Sequence, residues 1–128
     1  MKILLAGDST VANCPTQEFP MSGWGGRLAP LTHTWAAVHN FAKGGASTES
    51  FRDEGLWDSL LAEAGEGDLV LIQFGHNDQK KPHLAARTGY AANLRTMVRG
   101  AGKGRGSGAV HLRGAAALPG RAGVGRCP

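Results

Sequence analysis

Three short polar stretches hold the residues best suited to chemistry, and each one follows an apolar run. Gly7-Asp8-Ser9-Thr10 follows the first run, Gly45 comes soon after the second, and Gly75-His76-Asn77-Asp78 follows the third. A serine hydroxyl becomes a nucleophile where a base takes its proton and hydrogen-bond donors hold the developing oxyanion. The backbone amide of Gly45 and the side-chain amide of Asn77 are such donors. The pattern therefore predicts a serine-hydrolase site with Ser9 as the nucleophile.

Each of these residues also has a simpler interpretation. Ser9 taken alone would serve as a helix cap. Gly45 would serve as a turn glycine, and Asn77 as a loop residue that tolerates an unusual backbone angle. We favour the catalytic interpretation because each of the three residues lies just past the end of an apolar run. Asp8 is interpreted as a turn residue rather than a triad member, and His76 as a histidine that bonds within its loop.

The elements that must position these residues follow from the apolar patterns. Short apolar runs predict three buried strands, at 2–6, 37–42 and 68–74, and helical spacing predicts intervening helices at 24–31, 55–64 and from 90 onward. In the first helix, Trp24, Leu28 and Leu31 form the apolar face. Ser47 or Thr48 could cap a following helical turn, but the signal is weak, because Ser50 stands where a capping box from Ser47 has Glu or Gln. Alternating strands and helices predict a parallel α/β sheet, whose ligands bind beyond the carboxyl ends of the strands.

Charge and composition divide the chain of 128 residues. Residues 1–78 hold all ten acidic groups and four basic ones, a net charge of −6, whereas residues 79–128 hold ten basic groups and none acidic. Gly, Ala, Lys and Arg make up 20 of the 29 residues at 100–128. We predict one domain over 1–99 and a disordered tail over 100–128, whose composition is typical of a GC-rich gene read out of frame. Without a fourth strand, the third strand would be an open sheet edge.

Composition also argues against several classes of protein. Cys14 and Cys127 predict two free thiols rather than a disulfide framework, and no spacing of His and Cys predicts a metal or cofactor site. No apolar run is long enough to span a membrane, and the first one ends too early for a signal peptide, which favours the cytoplasm. The basic tail has no aromatic residue for base stacking, so we expect no nucleic-acid partner. The oligomeric state stays open.

At this point the motifs resemble a known family. Gly7-Asp8-Ser9-Thr10, Gly45 and Gly75-His76-Asn77-Asp78 resemble the first three sequence blocks of the SGNH, or GDSL, hydrolases. The motif sequences are most similar to those of the rhamnogalacturonan acetylesterase branch, notably at Gly23-Trp24-Gly25 and Gln73-Phe74. The resemblance covers about residues 2–98. It implies a flavodoxin-like three-layer α/β/α fold, C-terminally truncated here, and removal of acetyl groups from sugars without a cofactor.

Carried over to this sequence, the resemblance implies that Ser9 is the nucleophile. It implies an oxyanion hole formed by the amides of Ser9 and Gly45 and the side chain of Asn77, supported by Asp8, His76 and Asp78. The family's catalytic His, with an Asp three residues before it, lies in a later block that this sequence lacks. His111 has Gly108 at that place. We therefore expect impaired activity, and the alternative is an inactive fragment or a ligand-binding remnant.

Overall fold

Four parallel strands form the sheet in the described part of this protein. The computed structural model describes residues 1–13, 22–103 and 110–112. The strands are β1 (Lys2–Gly7), β2 (Ala37–Asn40), β3 (Leu69–Gln73) and β4 (Val110–Leu112), and their order in the sheet is β2-β1-β3-β4. The predicted flavodoxin-like order, which begins 2-1-3, is confirmed. All three pairings are parallel, so the strands end at one edge of the sheet.

The two faces of β1 point into two separate cores, which is why the fold has three layers. Leu4 and Ala6 face one core, while Ile3 and Leu5 face the other, and all four residues are buried. This alternation is the two-residue period of a strand that is covered on both sides. Strand β1 is therefore central in packing as well as in sheet order.

The larger core lies between the sheet and three helices. These helices are α2 (Thr48–Asp53), α3 (Leu56–Glu63) and α4 (Gly89–Lys103). Phe51 and Phe74 meet edge to face, with ring centroids 5.2 Å apart and an interplanar angle of 63°. Edge-to-face contact is a favoured arrangement for aromatic pairs. Because Phe74 directly follows β3, this contact fixes the start of the loop that holds Asn77.

Helix α2 begins with a capping box that the sequence analysis judged weak. The Ser47 hydroxyl accepts from the Ser50 N–H at 3.0 Å, and the Ser50 hydroxyl accepts from the Ser47 N–H at 2.9 Å. A serine hydroxyl is an acceptor like a Glu carboxylate, and its short side chain still reaches the Ser47 N–H. Ser47 is therefore the N-cap, and Ser50 completes the capping box despite the weak sequence signal.

The segment predicted as one helix at 24–31 is two shorter pieces. A 3-10 helix spans Trp24–Arg27, and a short helix α1 spans Ala29–Thr32, with Pro30 in its first turn. Trp24 and Leu28 pack on the smaller core, but Leu31 is 78% exposed. The expected single apolar face does not form because the helical register changes at Leu28, which ends one helix and precedes the other.

The structure differs from expectation at the start of the predicted tail. Helix α4 continues to Lys103, and β4 pairs with β3 in the register Val70 with Val110 and Ile72 with Leu112. Without β4, the backbone groups at the outer edge of β3 would be unpaired. Apolar and polar residues alternate in Val-His-Leu, a pattern that suits a strand at this edge. Along this register, β3 therefore lacks the open edge expected for a sheet without a fourth strand. The expectations for the rest of the tail and for both cysteines lie outside the described residues.

Two short 3-10 helices, Asp78–Lys80 and Pro82–Leu84, lead from β3 to α4. Within the described ranges, no helix is long and apolar enough to cross a membrane.

Candidate active site

Ser9 sits in the middle of a tight turn that closes directly after β1. The Asp8 carbonyl accepts from the N–H groups of Val11 and Ala12, at 3.1 and 3.0 Å. One oxygen of the Asp8 carboxylate accepts from both the N–H and the hydroxyl of Thr10, at 2.9 and 2.7 Å. This is an Asx-turn, in which an aspartate side chain bonds to the backbone two residues on. Ser9 is therefore held by its neighbours on both sides, and it is 8% exposed.

Gly45 lies in the loop after β2, which is tied to the end of β1. The Lys43 N–H donates to the Gly7 carbonyl at 3.1 Å, and the Ala46 N–H closes a β-turn by donating to the Lys43 carbonyl at 3.2 Å. Gly45 is the third residue of this turn, with a φ of 80° that favours glycine. A Cβ at Gly45 would have no atom within 4 Å. The space beside its backbone is thus open to a substrate.

Asn77 reaches from the loop after β3 to the Gly45 loop. Its Nδ2 donates to the Ala46 carbonyl at 3.0 Å, and its Oδ1 accepts from the Lys80 ammonium at 3.2 Å. A carbonyl accepts only and an ammonium donates only, so these two partners fix which end of the amide is which. One N–H of Nδ2 is left for a further acceptor.

Asp78 anchors the Asn77 loop to the start of α2. The Asp78 carboxylate is 1% exposed and accepts from the Thr48 N–H, at 3.0 and 3.2 Å, and from the Thr48 hydroxyl. Asn93 donates to the Thr48 hydroxyl at 3.0 Å, and Arg52 donates to Asn93 at 2.9 Å. Sequence reasoning missed Thr48, Asn93 and Arg52. Their partners lie 30 to 45 residues away along the chain, so no local pattern signals them.

Tyr90 at the start of α4 braces the same loop from the other side. Its hydroxyl donates to the Phe74 carbonyl at 2.8 Å. Burial raises the pKa of Tyr90, and the negative charges of Asp78 and Asp8 raise it further. The phenol therefore stays protonated and keeps donating well into alkaline solution.

Hydrogen bonds thus join the three loops at the carboxyl edge of the sheet. Neither the Ser9 N–H nor the Gly45 N–H donates to any described residue. Together with the second N–H of Asn77, these groups form a set of unpaired donors in adjoining loops. Donors of this kind stabilise the oxyanion of an acyl-transfer reaction.

The described histidine side chains do not form hydrogen bonds to Ser9. His83 pairs with Glu49 at 2.9 Å, and His33 contacts the Pro30 carbonyl at 2.9 Å. His76 is half-buried in the Asn77 loop. No hydrogen bond joins its side chain to the described residues, so the bond predicted within its loop is not formed with them. None of these imidazoles is hydrogen-bonded to Ser9 within the described part of the chain.

A shallow cavity of about 350 Å³ lies elsewhere, along α4. Its walls are apolar side chains and arginine stems, and none of the three predicted site residues lines it: Ala91, Leu94, Arg95, Val98 and Arg99.

The fold is a parallel sheet with a core on each face, and a serine turn and neighbouring amide donors lie at its carboxyl edge. This chain belongs to the GDSL-like lipase/acylhydrolase family, whose model matches residues 5–124. The match extends beyond residue 99, where the sequence analysis placed the end of the domain.

Two relatives in this family are rhamnogalacturonan acetylesterases. RhgT of Bacillus subtilis is 51% identical over 80 residues, which cover 62% of this chain and 34% of that protein. The enzyme of Emericella nidulans is 38% identical over 76 residues, or 59% of this chain and 28% of that protein. The chain therefore spans about a third of the length of these relatives.

Among solved structures, the YxiM protein of Bacillus subtilis has the same fold. Its crystal structure superposes with a TM-score of 0.75 at 31% identity, over 89% of this chain and 32% of that one.

Proposed function

We propose that this chain carries the nucleophile and oxyanion hole of a serine ester hydrolase that removes acetyl groups from a sugar polymer. The observation that supports it most directly is the bond from Asn77 to the Ala46 carbonyl, which ties one proposed donor to the residue that follows another, Gly45. The polymer is proposed to resemble rhamnogalacturonan, because two relatives are named for deacetylating it.

In the proposed reaction, the Ser9 hydroxyl oxygen attacks the acetyl carbonyl carbon. The carbonyl oxygen becomes an oxyanion, which accepts from the amides of Ser9 and Gly45 and from the Asn77 side chain. The ester bond to the sugar then breaks, and the sugar oxygen leaves with the proton that the Ser9 hydroxyl has lost. Water hydrolyses the acetyl-serine and releases acetate. Asp8 and Asp78 support the reaction by holding the two loops, and His76 is proposed as a supporting residue in one of them.

Proton transfer is the step for which this sequence offers the fewest candidate residues. After Asp78 the sequence contains no Asp or Glu, and Gly108 stands three residues before His111. We propose that the chain is impaired for that reason. Serine hydrolases that lose a triad member retain roughly 10³–10⁴-fold catalysis over water, from oxyanion stabilisation and binding. We therefore expect weak turnover of 4-nitrophenyl acetate by the 128-residue chain.

Covalent labelling tests the assignment without requiring turnover. The chain is incubated with a fluorophosphonate, and the modified serine is identified by peptide mass spectrometry. We expect phosphonylation of Ser9 that is slow for want of a base but still faster than that of other serines, because Ser9 adjoins amide donors that no described residue accepts from. Ser9→Ala should abolish labelling, and Ser59→Ala, which changes an exposed serine of α3, should leave it unchanged.

Modification spread evenly over several serines would contradict the proposed nucleophile. The alternative function, a ligand-binding remnant, is favoured if Ser9 stays unlabelled while an acetylated rhamnogalacturonan oligosaccharide still binds by calorimetry. Rapid Ser9-dependent release of acetate would instead overturn the proposed impairment and leave the reaction class intact.

A further inference from the structure

A second segment of chain clamps the turn that contains Ser9. Backbone N–H groups of Gly23, Trp24 and Gly25 donate to the carbonyls of residues 12, 10 and 11, at 3.0, 2.9 and 3.1 Å. The contact leaves no room for side chains at the two glycines. A Cβ on Gly23 would lie 2.5 Å from the Ala12 carbonyl oxygen. The Gly-Trp-Gly sequence therefore allows one backbone to lie directly on the other.

Side chains connect the same clamp to the aspartate before Ser9. The Trp24 indole N–H donates to the Gln73 Oε1 at 2.9 Å, and the Gln73 Nε2 donates to the Thr10 hydroxyl at 3.1 Å. The Thr10 hydroxyl donates to the Asp8 carboxylate at 2.7 Å. We call these three bonds the Trp24–Asp8 relay.

The direction of each bond in the relay is fixed by chemistry. An indole nitrogen only donates, so the Gln73 oxygen must be the end of the amide that faces it. The Gln73 amide nitrogen then faces Thr10, whose hydroxyl oxygen accepts from it. The Thr10 hydrogen is thereby directed at Asp8. Hydrogen bonds in such a chain polarise and strengthen one another.

The buried Asp8 carboxylate depends on Thr10 for its hydrogen bonds. It is 1% exposed, and its second carboxylate oxygen is buried without a hydrogen-bond partner among the described residues. Among the described residues, only Thr10 donates to the carboxylate, through its N–H and its hydroxyl. Loss of the hydroxyl bond would leave the Asx-turn around Ser9 closed by a single N–H.

We propose that Trp24 and Gln73 are positioning residues for Ser9. They direct the Thr10 hydroxyl to Asp8, and so set the backbone angles that aim the Ser9 hydroxyl and the Ser9 N–H at the same acyl group. This inference rests on the proposed function of Ser9 as the nucleophile. It assigns a role to Trp24 other than core packing.

The test compares variants that break the relay at different bonds. Trp24→Phe keeps an aromatic ring and removes the indole donor, and Trp35→Phe, at a tryptophan that is 57% exposed, is the matched control. Gln73→Leu removes both bonds. Gln73→Glu still accepts from Trp24 at neutral pH but has no donor for Thr10.

Two measurements are made on each variant. The first is Ser9 phosphonylation over a range of fluorophosphonate concentrations, which separates the maximal rate from the half-saturating concentration. The second is hydrogen–deuterium exchange of the Thr10 amide by NMR. We expect a maximal rate about tenfold lower in the three relay variants, with the half-saturating concentration unchanged, and faster Thr10 exchange. Trp35→Phe should match the wild type in both.

The pH dependence of the labelling rate distinguishes a broken relay from a general loss of stability. The carboxyl group introduced by Gln73→Glu regains a donor when it is protonated. The labelling rate of this variant relative to wild type should therefore rise as the pH falls toward about 4.3, the ordinary pKa of a glutamate side chain. The ratio for Gln73→Leu should stay constant.

The proposal is overturned if the relay variants label Ser9 at the wild-type maximal rate, or if Thr10 exchange does not change. Absence of Ser9 labelling in the wild type would instead contradict the proposed function. In that case the exchange data still decide whether the relay holds the turn.

Discussion

Asn77 is the donor on which the proposed oxyanion hole depends most, because its amide is fixed by partners at both ends. The Ala46 carbonyl takes one N–H and the Lys80 ammonium holds the oxygen. Removal of a single oxyanion donor typically slows an acyl transfer by about 10²–10³-fold. We therefore expect Asn77→Ala to lower the rate of Ser9 phosphonylation by about 10²-fold, measured by mass spectrometry over time.

The neighbouring residue provides the control for this prediction. Gln79→Ala changes an exposed side chain in the 3-10 helix that begins directly after Asn77, and it should label at the wild-type rate. Equal rates for Asn77→Ala and wild type would show that Asn77 does not contact the oxyanion.

Tyr90 gives a prediction that does not depend on catalysis. It is the only tyrosine in the chain, so tyrosinate absorbance reports on this residue alone. Because burial and the charges of Asp78 and Asp8 raise its pKa, the folded protein should titrate above the ordinary value of about 10, and the unfolded chain near it. A midpoint at or below the unfolded value would contradict the burial of Tyr90 against the Asn77 loop.

The same shift has a consequence for stability. A group with a raised folded-state pKa contributes stability that is present below its unfolded pKa and is lost as the pH rises through the folded value. The free energy of unfolding should therefore fall above about pH 10. Tyr90→Phe should remove this contribution to the alkaline loss, as measured by urea unfolding.

At the scale of elements, the capping box of α2 places Thr48 where it meets Asp78. The Ser47 and Ser50 side chains each satisfy a backbone N–H of the first turn. Replacing a serine N-cap by alanine costs about 1 kcal/mol. We expect Ser47→Ala and Ser50→Ala each to lower the free energy of unfolding by about that amount, and the double variant by less than their sum.

Ser59 is the matched control, since it is exposed on α3 and outside the capping box. Strict additivity of Ser47→Ala and Ser50→Ala would show that the two hydroxyls do not act as one cap.

Some elements could be predicted from the sequence because their signals are local. Ile3, Leu5 and Val70 belong to unbroken apolar runs, and such runs predict strands buried on both faces. The two helical pieces that begin at Trp24 could not be predicted as separate, because apolar spacing alone does not show a change of helical register. Gln73 stands at the end of a strand pattern, and nothing near it in sequence predicts a bond to Trp24 49 residues away.

At the scale of the whole molecule, Asp68 ties the start of β3 to the start of β1. The Asp68 carboxylate accepts from the N–H groups of Lys2 and Gly65, at 2.8 and 2.9 Å, and lies 3.4 Å from the Lys2 ammonium. Burial opposes ionisation, but these bonds and the Lys2 charge outweigh it and hold the pKa of Asp68 below its ordinary value. The carboxylate thus joins strands that are far apart in sequence.

A lowered pKa makes this link sensitive to acid. Its stabilisation is present above the unfolded pKa of about 3.9 and is lost as the pH falls through the lower folded value. We expect Asp68→Asn to be less stable than wild type at neutral pH, and the difference to shrink below about pH 4. Glu66→Gln, an exposed neighbour, should follow the wild-type curve in urea unfolding. A difference that stays constant across this range would contradict the ionic link.

The division of the chain at residue 99 remains a prediction. The family match extends to residue 124, and β4 pairs with β3 beyond that boundary. Translation of the coding DNA past codon 99 tests the out-of-frame hypothesis. An apolar strand followed by an Asp and a His in another frame would support it, and the absence of such a pattern from both other frames would refute it.

The central claim is that Ser9, Gly45 and Asn77 act on one acyl group. A crystal structure of the chain after phosphonylation measures this directly. Our account predicts phosphorus bonded to the Ser9 oxygen, with one phosphoryl oxygen about 2.7–3.1 Å from the N–H nitrogens of Ser9 and Gly45 and from the Asn77 Nδ2. An adduct on another residue, or a phosphoryl oxygen that contacts neither Gly45 nor Asn77, would contradict the account.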